Sequence, residues 1–369
     1  MNVRPLLLMA SIAIALSPNA NGEEHAALKH RHFVLKQTYH LKAPEGSVGQ
    51  ANLWIPIPEN TQYQSLTDIQ YTGDFNQAYI TTDSHYGART LFVSWDDSKQ
   101  SMNLDVELDI DTSDWEPLKS HIFAAYKVPE VITYPDDVQR YLLGTAHVPV
   151  DGIVKEMADN IVGDEQNPLN KARKIYQWVA DNMQRDNAVV GCGQGDVGTI
   201  LQTGKLSGKC TDINSVFVAL ARAAGLPARE MFGLRLGEAI KMGQYSTAFG
   251  SADENGVAKE TGGQHCRAMF YLAGFGWVPV DPADVTKMRL KEHLTNSDTD
   301  VVAVSDYLFG SWEMNWVGFN WARDFVLSPE PEQGALNNFG YPYAEVDGDP
   351  IDFYDPSAFS YEYTSIEQL

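Results

Sequence analysis

The sequence is poor in cysteine, in positive charge and in long hydrophobic runs. Only 3 of its 369 residues are cysteine, too few for a disulfide framework to replace a hydrophobic core. Lys and Arg number 27 against 49 Asp and Glu, which gives a formal net charge of -22. Because such a surface repels the phosphates of nucleic acids and of anionic lipids, we expect no nucleic-acid partner.

A single long apolar run occurs, and it lies at the N-terminus. Arg4 precedes the apolar stretch 6–16, and Ala20-Asn21-Gly22 places small residues where a signal peptidase cleaves. The run is shorter than the roughly 20 residues of a membrane-spanning helix. The pattern therefore predicts a secretory signal over residues 1–22. We expect cleavage near Gly22, a periplasmic or secreted protein, and no stable membrane insertion.

The N-terminal part of the remaining chain has the alternating pattern of β-strands. Apolar and polar residues alternate in short segments separated by turn residues, at 32–41, 51–58, 78–82, 90–95 and 102–110. Such a series predicts a β-sandwich over residues 25–145. Pro56 and Pro58 indicate that the second strand either lies at a sheet edge or ends there.

Beyond residue 151 the apolar period changes to that of a helix. Apolar residues recur at helical spacing over 151–162 and 168–185, and Asn167-Pro168 is a helix cap followed by a first-turn proline. A third helix is expected from Cys210 to Gly225. Strands are expected at 229–236, 266–272 and 277–280. Helices followed by strands predict an α+β core over residues 151–290.

The C-terminal segment, residues 291–369, is acidic, aromatic and interrupted by prolines. We expect it to pack on the α+β core as an extension, because so many aromatic side chains would not remain exposed. Its clustered aspartates do not match the calcium loop of an EF-hand. No metal and no cofactor are therefore predicted.

Cys210 lies at the predicted start of the third helix, in Gly208-Lys209-Cys210-Thr211-Asp212. The unpaired backbone N–H groups of a first helical turn favour a thiolate and can also bind an oxyanion. An adjacent imidazolium can lower the pKa of a thiol from about 8.5 to between about 3.5 and 7.5. The alternative role for Cys210 is that of a small buried residue at a helix start.

His265 and Asp281 follow Cys210 in the chain. His265 begins a predicted strand and Asp281 ends the next one, so a hairpin through Gly274 would place the carboxylate beside the imidazole. Singly, His265 could be a core or surface histidine, and Asp281 a carboxylate that caps a turn. Together with Cys210 they are the parts of a cysteine acyl-transfer site.

Three separated motifs resemble the transglutaminase-like superfamily, over roughly residues 151–285. They are 208–212 (GKCTD), 218–229 (VALARAAGLPAR) and the segment from His265 through 280–282 (VDP). The resemblance implies a papain-like α+β core that uses a Cys/His/Asp triad. Cys210 would be the nucleophile, His265 the general base and then acid, and Asp281 the residue that orients the imidazole. An N-terminal β-sandwich is also typical of exported bacterial members.

Two departures from the family pattern limit the predicted activity. Lys209 and Thr211 flank the nucleophile, whereas animal cross-linking members typically have Gln-Cys-Trp, and Met269 occupies a position that is acidic in many members. We expect a thiol-dependent acyl-transfer enzyme acting on peptide or glutamine-type amide bonds of protein or peptide substrates. A peptidase or amidase is favoured over a cross-linking transglutaminase. The alternative is a catalytically silent scaffold that binds a polypeptide or cell-wall partner.

Two residues are further candidates for contacts with substrate. Gln194, in the glycine-rich loop 191–196, is the candidate for a second oxyanion donor beside the backbone N–H of Cys210. Its alternative role is that of a polar residue in a turn. Trp316 is the candidate for a wall of the substrate cleft, although aromatic clusters more often fill cores.

The two other cysteines raise the question of a disulfide. In an oxidising compartment, Cys192 and Cys266 are predicted to pair and to leave Cys210 free. Cys266 should point away from the active site, because it follows His265 on a strand. A bond between Cys192 and Cys210 would instead inactivate the enzyme.

Overall fold

The computed structural model describes residues 30–98, 102–113 and 126–368, and the predicted signal segment 1–22 lies outside the described residues. In this part of the chain, none of the helices combines the length and the apolar character that crossing a membrane requires. The helices are α1 (Asp136–Gln139), α2 (Gly152–Val162), α3 (Pro168–Asn182), α4 (Val197–Thr203), α5 (Cys210–Ala223), α6 (Pro282–Glu292) and α7 (Thr299–Tyr307). The strands are β1 (His30–Leu41), β2 (Ala51–Pro56), β3 (Gln64–Gly73), β4 (Gln77–Thr82), β5 (Arg89–Trp95), β6 (Met102–Ser113), β7 (Gln184–Arg185), β8 (Ser207–Gly208), β9 (Ala228–Arg235), β10 (Val257–Lys259), β11 (Gln264–Leu272), β12 (Gly276–Val280), β13 (Trp316–Asn320), β14 (Arg323–Val326), β15 (Ala335–Asn338), β16 (Tyr343–Val346), β17 (Asp349–Pro350) and β18 (Phe359–Gln368).

Two five-stranded antiparallel sheets form a β-sandwich, with strand orders β10-β18-β1-β6-β3 and β17-β16-β2-β5-β4. Along β1 and β6, buried residues alternate with more exposed ones, as in a sheet with one face on a core. The inward-facing side chains are large and apolar; Phe33, Leu35 and Leu108 are completely buried. The prediction of an α+β protein with an N-terminal sandwich is therefore confirmed.

The sandwich contains strands that the alternation did not reveal, and β3 is the one that lies within the N-terminal part of the chain. β3 pairs with β6, but a bulge between Leu66 and Asp68 shifts its register by one residue. Because the bulge interrupts the period of two, the strand lacks a regular pattern. β2 lies inside its sheet and ends at Pro56, so the second of the two proposed roles for the prolines is correct.

The C-terminal segment is divided between the two halves of the molecule. β18 pairs with β1 from Leu41↔Phe359 to His32↔Gln368, and β16 pairs with β2. In contrast, Val304 of α7 packs in the core of the helical half. The expected extension over 291–369 thus lies on the α+β core only in part. β18 thereby covers an edge of β1 that would otherwise be unpaired.

The α+β half is built on a four-stranded sheet with the order β12-β11-β9-β13. Helix α5 packs against β11 and β9, and every residue from Cys210 to Arg222 is buried. The helix begins at Cys210, and α2 and α3 occupy the predicted positions. Burial on all sides holds the N-terminus of α5 at a fixed place against the sheet.

Candidate active site

Asp212 holds the start of α5. Its Oδ2 accepts a hydrogen bond from the backbone N of Lys209 (2.9 Å) and its Oδ1 accepts one from the backbone N of Gly195 (2.8 Å). Gly193, with φ +89°, approaches the same carboxylate so closely that a Cβ atom would collide with it. The loop 191–196 is thereby fixed against the first turn of the helix.

The β11–β12 hairpin brings Asp281 to His265. The strands pair in antiparallel register, with Ala268 opposite Val280. His265 Nε2 donates to Asp281 Oδ2 at 2.6 Å, and both side chains are buried. Asp281 Oδ1 accepts from the backbone N of Asp284 (3.2 Å) and so caps α6. The carboxylate therefore both contacts the imidazole and caps a helix.

Cys210 and His265 face the same cavity. Because Nε2 of His265 is bonded to Asp281, Nδ1 is the ring nitrogen left to exchange a proton with the thiol. Hydrogen bonds from the thiols of Cys192 and Cys266, with His265 beside them, lower the pKa of Cys210 well below its ordinary value, although burial opposes this. The site thus favours a thiolate at the helix start.

A second carboxylate, Asp284, lies next to the imidazole. Its Oδ1 is 3.6 Å from His265 Nε2 and accepts a 2.6 Å hydrogen bond from Nη2 of the buried Arg235. Burial alone would lower the pKa of His265, but the charges of Asp284 and Asp281 outweigh it and raise the pKa. Burial raises and Arg235 lowers the pKa of Asp284, with a large net lowering. These charges favour an imidazolium beside the thiolate.

Two buried residues hold Asp281 from other elements. Asn214, on α5, donates from Nδ2 to the carbonyl of Cys266 (2.8 Å) and to Asp281 Oδ1 (3.4 Å). Arg267, on β11, brings Nε to 3.6 Å from Asp281 Oδ2. Sequence reasoning missed both residues and Asp284. The spacing of Asp284, one turn after Asp281, was a usable signal, whereas Asn214 and Arg267 act only through tertiary contacts.

The three cysteines are free and buried, so the predicted disulfide between Cys192 and Cys266 is not formed. Cys192 Sγ instead donates to the carbonyl of Gln264 (3.2 Å), and both thiols lie close enough to Cys210 to lower the pKa of its thiol. Cys266 does not line the cavity, as expected, but it lies close to Cys210. Strand alternation turns it away from His265, but α5 packs on that side of β11 and brings Cys210 to it.

Gln194 and Trp316, the two candidates for contacts with substrate, do not line the cavity. Gln194 is exposed and its Oε1 accepts a hydrogen bond from Asn337 (3.2 Å), so its side chain does not line the cavity. Trp316 is buried, and its Nε1 donates to the carbonyl of His265 (2.9 Å). It therefore supports the strand that carries the imidazole. Among the described residues no acceptor pairs with the N–H of Cys210, which remains the candidate oxyanion donor.

The carboxylates near His265 also have the composition of a metal site. Ligand atoms of His265, Asp281 and Asp284 lie within 4.8 Å of one another. However, Asp281 is bonded to the imidazole and Asp284 to Arg235. Both carboxylates thus have protein partners, and the absence of a metal stays a prediction.

The cavity at the nucleophile has a volume of about 560 Å³, and the C-terminal segment forms one of its walls. Tyr341, Tyr354 and Tyr361 line that wall, and the hydroxyl of Tyr341 donates to Cys192 Sγ at 3.2 Å. Gly191 has φ +57°, and a Cβ atom there would collide with Tyr354. The segment that completes the sandwich thus also shapes the site.

Residues 155–282 match the family model described as the transglutaminase-like superfamily. The chain therefore contains a domain of this superfamily, and the matched range contains the cysteine, the histidine and the aspartate described above. A Haemophilus influenzae protein, described as uncharacterized, is 56% identical over 349 residues, which cover 94% of this chain and 93% of that protein.

The solved structures that this chain matches have low sequence identity to it. A candidate cysteine protease from Cytophaga hutchinsonii is 14% identical, with a TM-score of 0.49 and coverage of 92% of this chain and 98% of that one. The periplasmic domain of TgpA from Pseudomonas aeruginosa, bound to ethylmercury, is 15% identical, with a TM-score of 0.32 and coverage of 70% and 91%. Red sea bream transglutaminase is 10% identical, with a TM-score of 0.29 and coverage of 85% and 59%.

Proposed function

We propose that this protein is a thiol-dependent acyl-transfer enzyme acting on peptide or glutamine-type amide bonds of protein or peptide substrates. The observation that supports this most is the buried 2.6 Å hydrogen bond between His265 and Asp281, at a cavity that Cys210 also lines. A thiol at a helix start with an oriented imidazole is suited to nucleophilic attack on a carbonyl.

The reaction would proceed through a thioester. The Cys210 thiolate attacks the amide carbonyl, the S–C bond forms, and the carbonyl oxygen becomes an oxyanion that the backbone N–H of Cys210 can bind. The C–N bond then breaks as the Nδ1 proton of His265 passes to the leaving amine. Water or a second amine attacks the thioester, and His265 takes up the proton of that nucleophile. The S–C bond then breaks, which releases the acid or the new amide and restores the Cys210 thiolate. Asp281 keeps the imidazole in its orientation throughout.

Hydrolysis is favoured over cross-linking. Lys209 and Thr211 flank Cys210, and the amine-transfer members with Gln-Cys-Trp differ from this sequence at both positions. An exported location is part of the proposal, because residues 1–22 have the features of a secretory signal. The protein would therefore act on peptides or proteins outside the cytoplasm.

The test is a screen of peptide and glutamine substrates, with and without an added amine. Cys210→Ala should lower kcat by at least about 10³-fold, because the nucleophile is lost. The matched control is Thr203→Ala, an exposed change on the preceding helix. If product forms only with added amine, the protein is a transferase and the hydrolase proposal is wrong.

Alkylation of Cys210 by iodoacetamide, followed across pH, tests the thiolate without a substrate. We expect rapid labelling well below pH 8.5. The pKa of an ordinary thiol is about 8.5 and serves as the reference. If labelling rises only near that reference pH, and the screen shows no activity that depends on Cys210, the scaffold alternative replaces the enzyme.

A further inference from the structure

The cavity around Cys210 has a charge balance opposite to that of the whole chain. Among the described residues that line it, Glu260 is the single carboxylate. The chain has 49 acidic against 27 basic residues, so composition alone would give a mainly acidic lining. Five cationic side chains line the cavity instead: Arg185, Lys209, Arg235, Lys259 and Lys287.

Most of this positive charge is not neutralised within the protein. Of the five, Arg235 is bonded to a carboxylate, that of Asp284. The other four form no ion pair with any carboxylate in the described ranges. Arg185 donates from Nε to the side-chain oxygen of Asn187, a neutral acceptor (3.0 Å). The cavity therefore presents free cationic groups to whatever enters it.

Lys287 is the clearest case, because it is partly buried and forms no ion pair with Asp284 or Glu260, although both carboxylates lie near it. It lies on α6, one turn after Asp284, and its Nζ donates to the carbonyl of Ala248 (2.6 Å). Burial and the nearby Arg235 lower the pKa of Lys287 to about 8. An unpaired buried ammonium is costly unless an anion compensates it. A ligand carboxylate at this position would supply that anion.

We propose that the substrate is an acidic peptide, with carboxylate groups on the residues next to the amide that Cys210 attacks. This inference rests on the proposed function and names its substrate class. Lys209, directly before the nucleophile, lies beside the reacting bond, and Lys259, on β10, is exposed at the cavity. Charge-assisted hydrogen bonds to carboxylates would give such a peptide both affinity and orientation.

The charge of the cavity can be measured without knowing the substrate, by comparing two alkylating reagents. Iodoacetate is an anion and iodoacetamide is its neutral analogue. In both cases the Cys210 thiolate forms an S–C bond and iodide leaves with the electron pair of the C–I bond. We expect the ratio of rate constants, iodoacetate over iodoacetamide, to fall on the order of 10-fold in Arg185→Gln/Lys259→Gln, because the local anion concentration drops. The ratio should also fall with added salt.

Three further variants sharpen this result. Lys287→Met should lower the ratio, and Glu260→Gln should raise it because it removes the single carboxylate of the lining. Lys155→Gln removes one positive charge, as Lys287→Met does, but on α2 and away from the cavity, and should leave the ratio unchanged. If Lys287→Met does not fold, the other variants still test whether the charged residues of the cavity set the ratio. Equal ratios in wild type and cavity variants, or an equal fall in Lys155→Gln, would overturn the inference.

Matched peptides separate this inference from the proposed function. One peptide has Glu on both sides of a reactive Gln, and the other has Gln at those two positions. We expect the acidic peptide to have the higher kcat/KM, with a preference that weakens in Arg185→Gln/Lys259→Gln. Equal turnover of both peptides would overturn the inference of an acidic substrate, and the proposed enzymatic function would stand. If neither peptide is turned over but the alkylation ratio still depends on the cavity cations, the proposed enzymatic function would be overturned. The inference that the cavity binds an acidic ligand would stand.

Discussion

The sandwich and the α+β sheet bury their strands in different ways. Strand β1 alternates between buried and more exposed residues, whereas eight of the nine residues of β11 are buried. The sandwich core is formed by apolar side chains such as Leu35 and Leu108. The α+β sheet also buries His265 and Arg267, and the neighbouring strand β9 buries Arg235.

This difference shows that the chain buries charged residues, at an energetic cost, in the half that contains the candidate active site. Apolar burial stabilises the sandwich with little dependence on pH, since side chains such as Leu35 and Leu108 do not titrate. Buried charges stabilise a fold only when their partners are in place, and removal of one partner leaves an uncompensated charge. The α+β half should therefore respond strongly to small changes of charge and to pH, and the sandwich should not.

The largest expected effect is on catalysis. Asp281→Asn keeps the shape of the side chain but replaces the acceptor of the His265 Nε2 proton, so kcat should fall about 10⁴-fold. Steady-state kinetics on the best substrate from the screen measures this loss. The control is Asp300→Asn, an exposed change on α7. Activity close to wild type in Asp281→Asn would show that this carboxylate does not orient the base.

The next effect is on stability, and it compares an ion pair from each half. Arg235→Gln leaves Asp284 buried without its partner and should lower the free energy of unfolding by about 3–5 kcal/mol. Lys36→Gln breaks the exposed pair with Glu107 in the sandwich and should cost less than about 1 kcal/mol. Urea unfolding, followed by tryptophan fluorescence, measures both. Similar losses for the two variants would remove the contrast between the halves.

The smallest expected effect concerns pH. Burial raises the pKa of Glu260 to about 7, despite Arg235 and Lys287 nearby. Because its folded-state pKa exceeds the unfolded value of about 4.3, its contribution to stability is present below that value and is lost as the pH rises through 7. Glu260→Gln should therefore raise Tm at pH 8, by roughly 2–4 °C, and have less effect at pH 5. Thermal unfolding at the two pH values measures this.

Glu362→Gln is the control for the pH prediction, because it changes an exposed glutamate of the sandwich strand β18. Its Tm should follow that of the wild type at both pH values. An equal shift for Glu260→Gln and Glu362→Gln would show that net charge, rather than burial, sets the response.

Local patterns were sufficient for several parts of the site. The start of α5 at Cys210 follows from helical apolar spacing, and the approach of Asp281 to His265 follows from a hairpin with a short turn. These features depend on residues that are close in the sequence. Gln194 shows the limit of such reasoning, since its loop is at the site but its side chain bonds to Asn337 instead.

The fold class, the order of the three reactive residues and the elements that carry them follow from local sequence patterns, because periodicity and turn residues act over a few positions. The partners that act on those residues depend instead on tertiary contacts. Asp284 and Arg235 meet at His265, the cysteines gather as free thiols at Cys210, and the C-terminal segment joins β1. Contacts of this kind follow from how faces and edges are buried across long separations, which local periodicity does not encode.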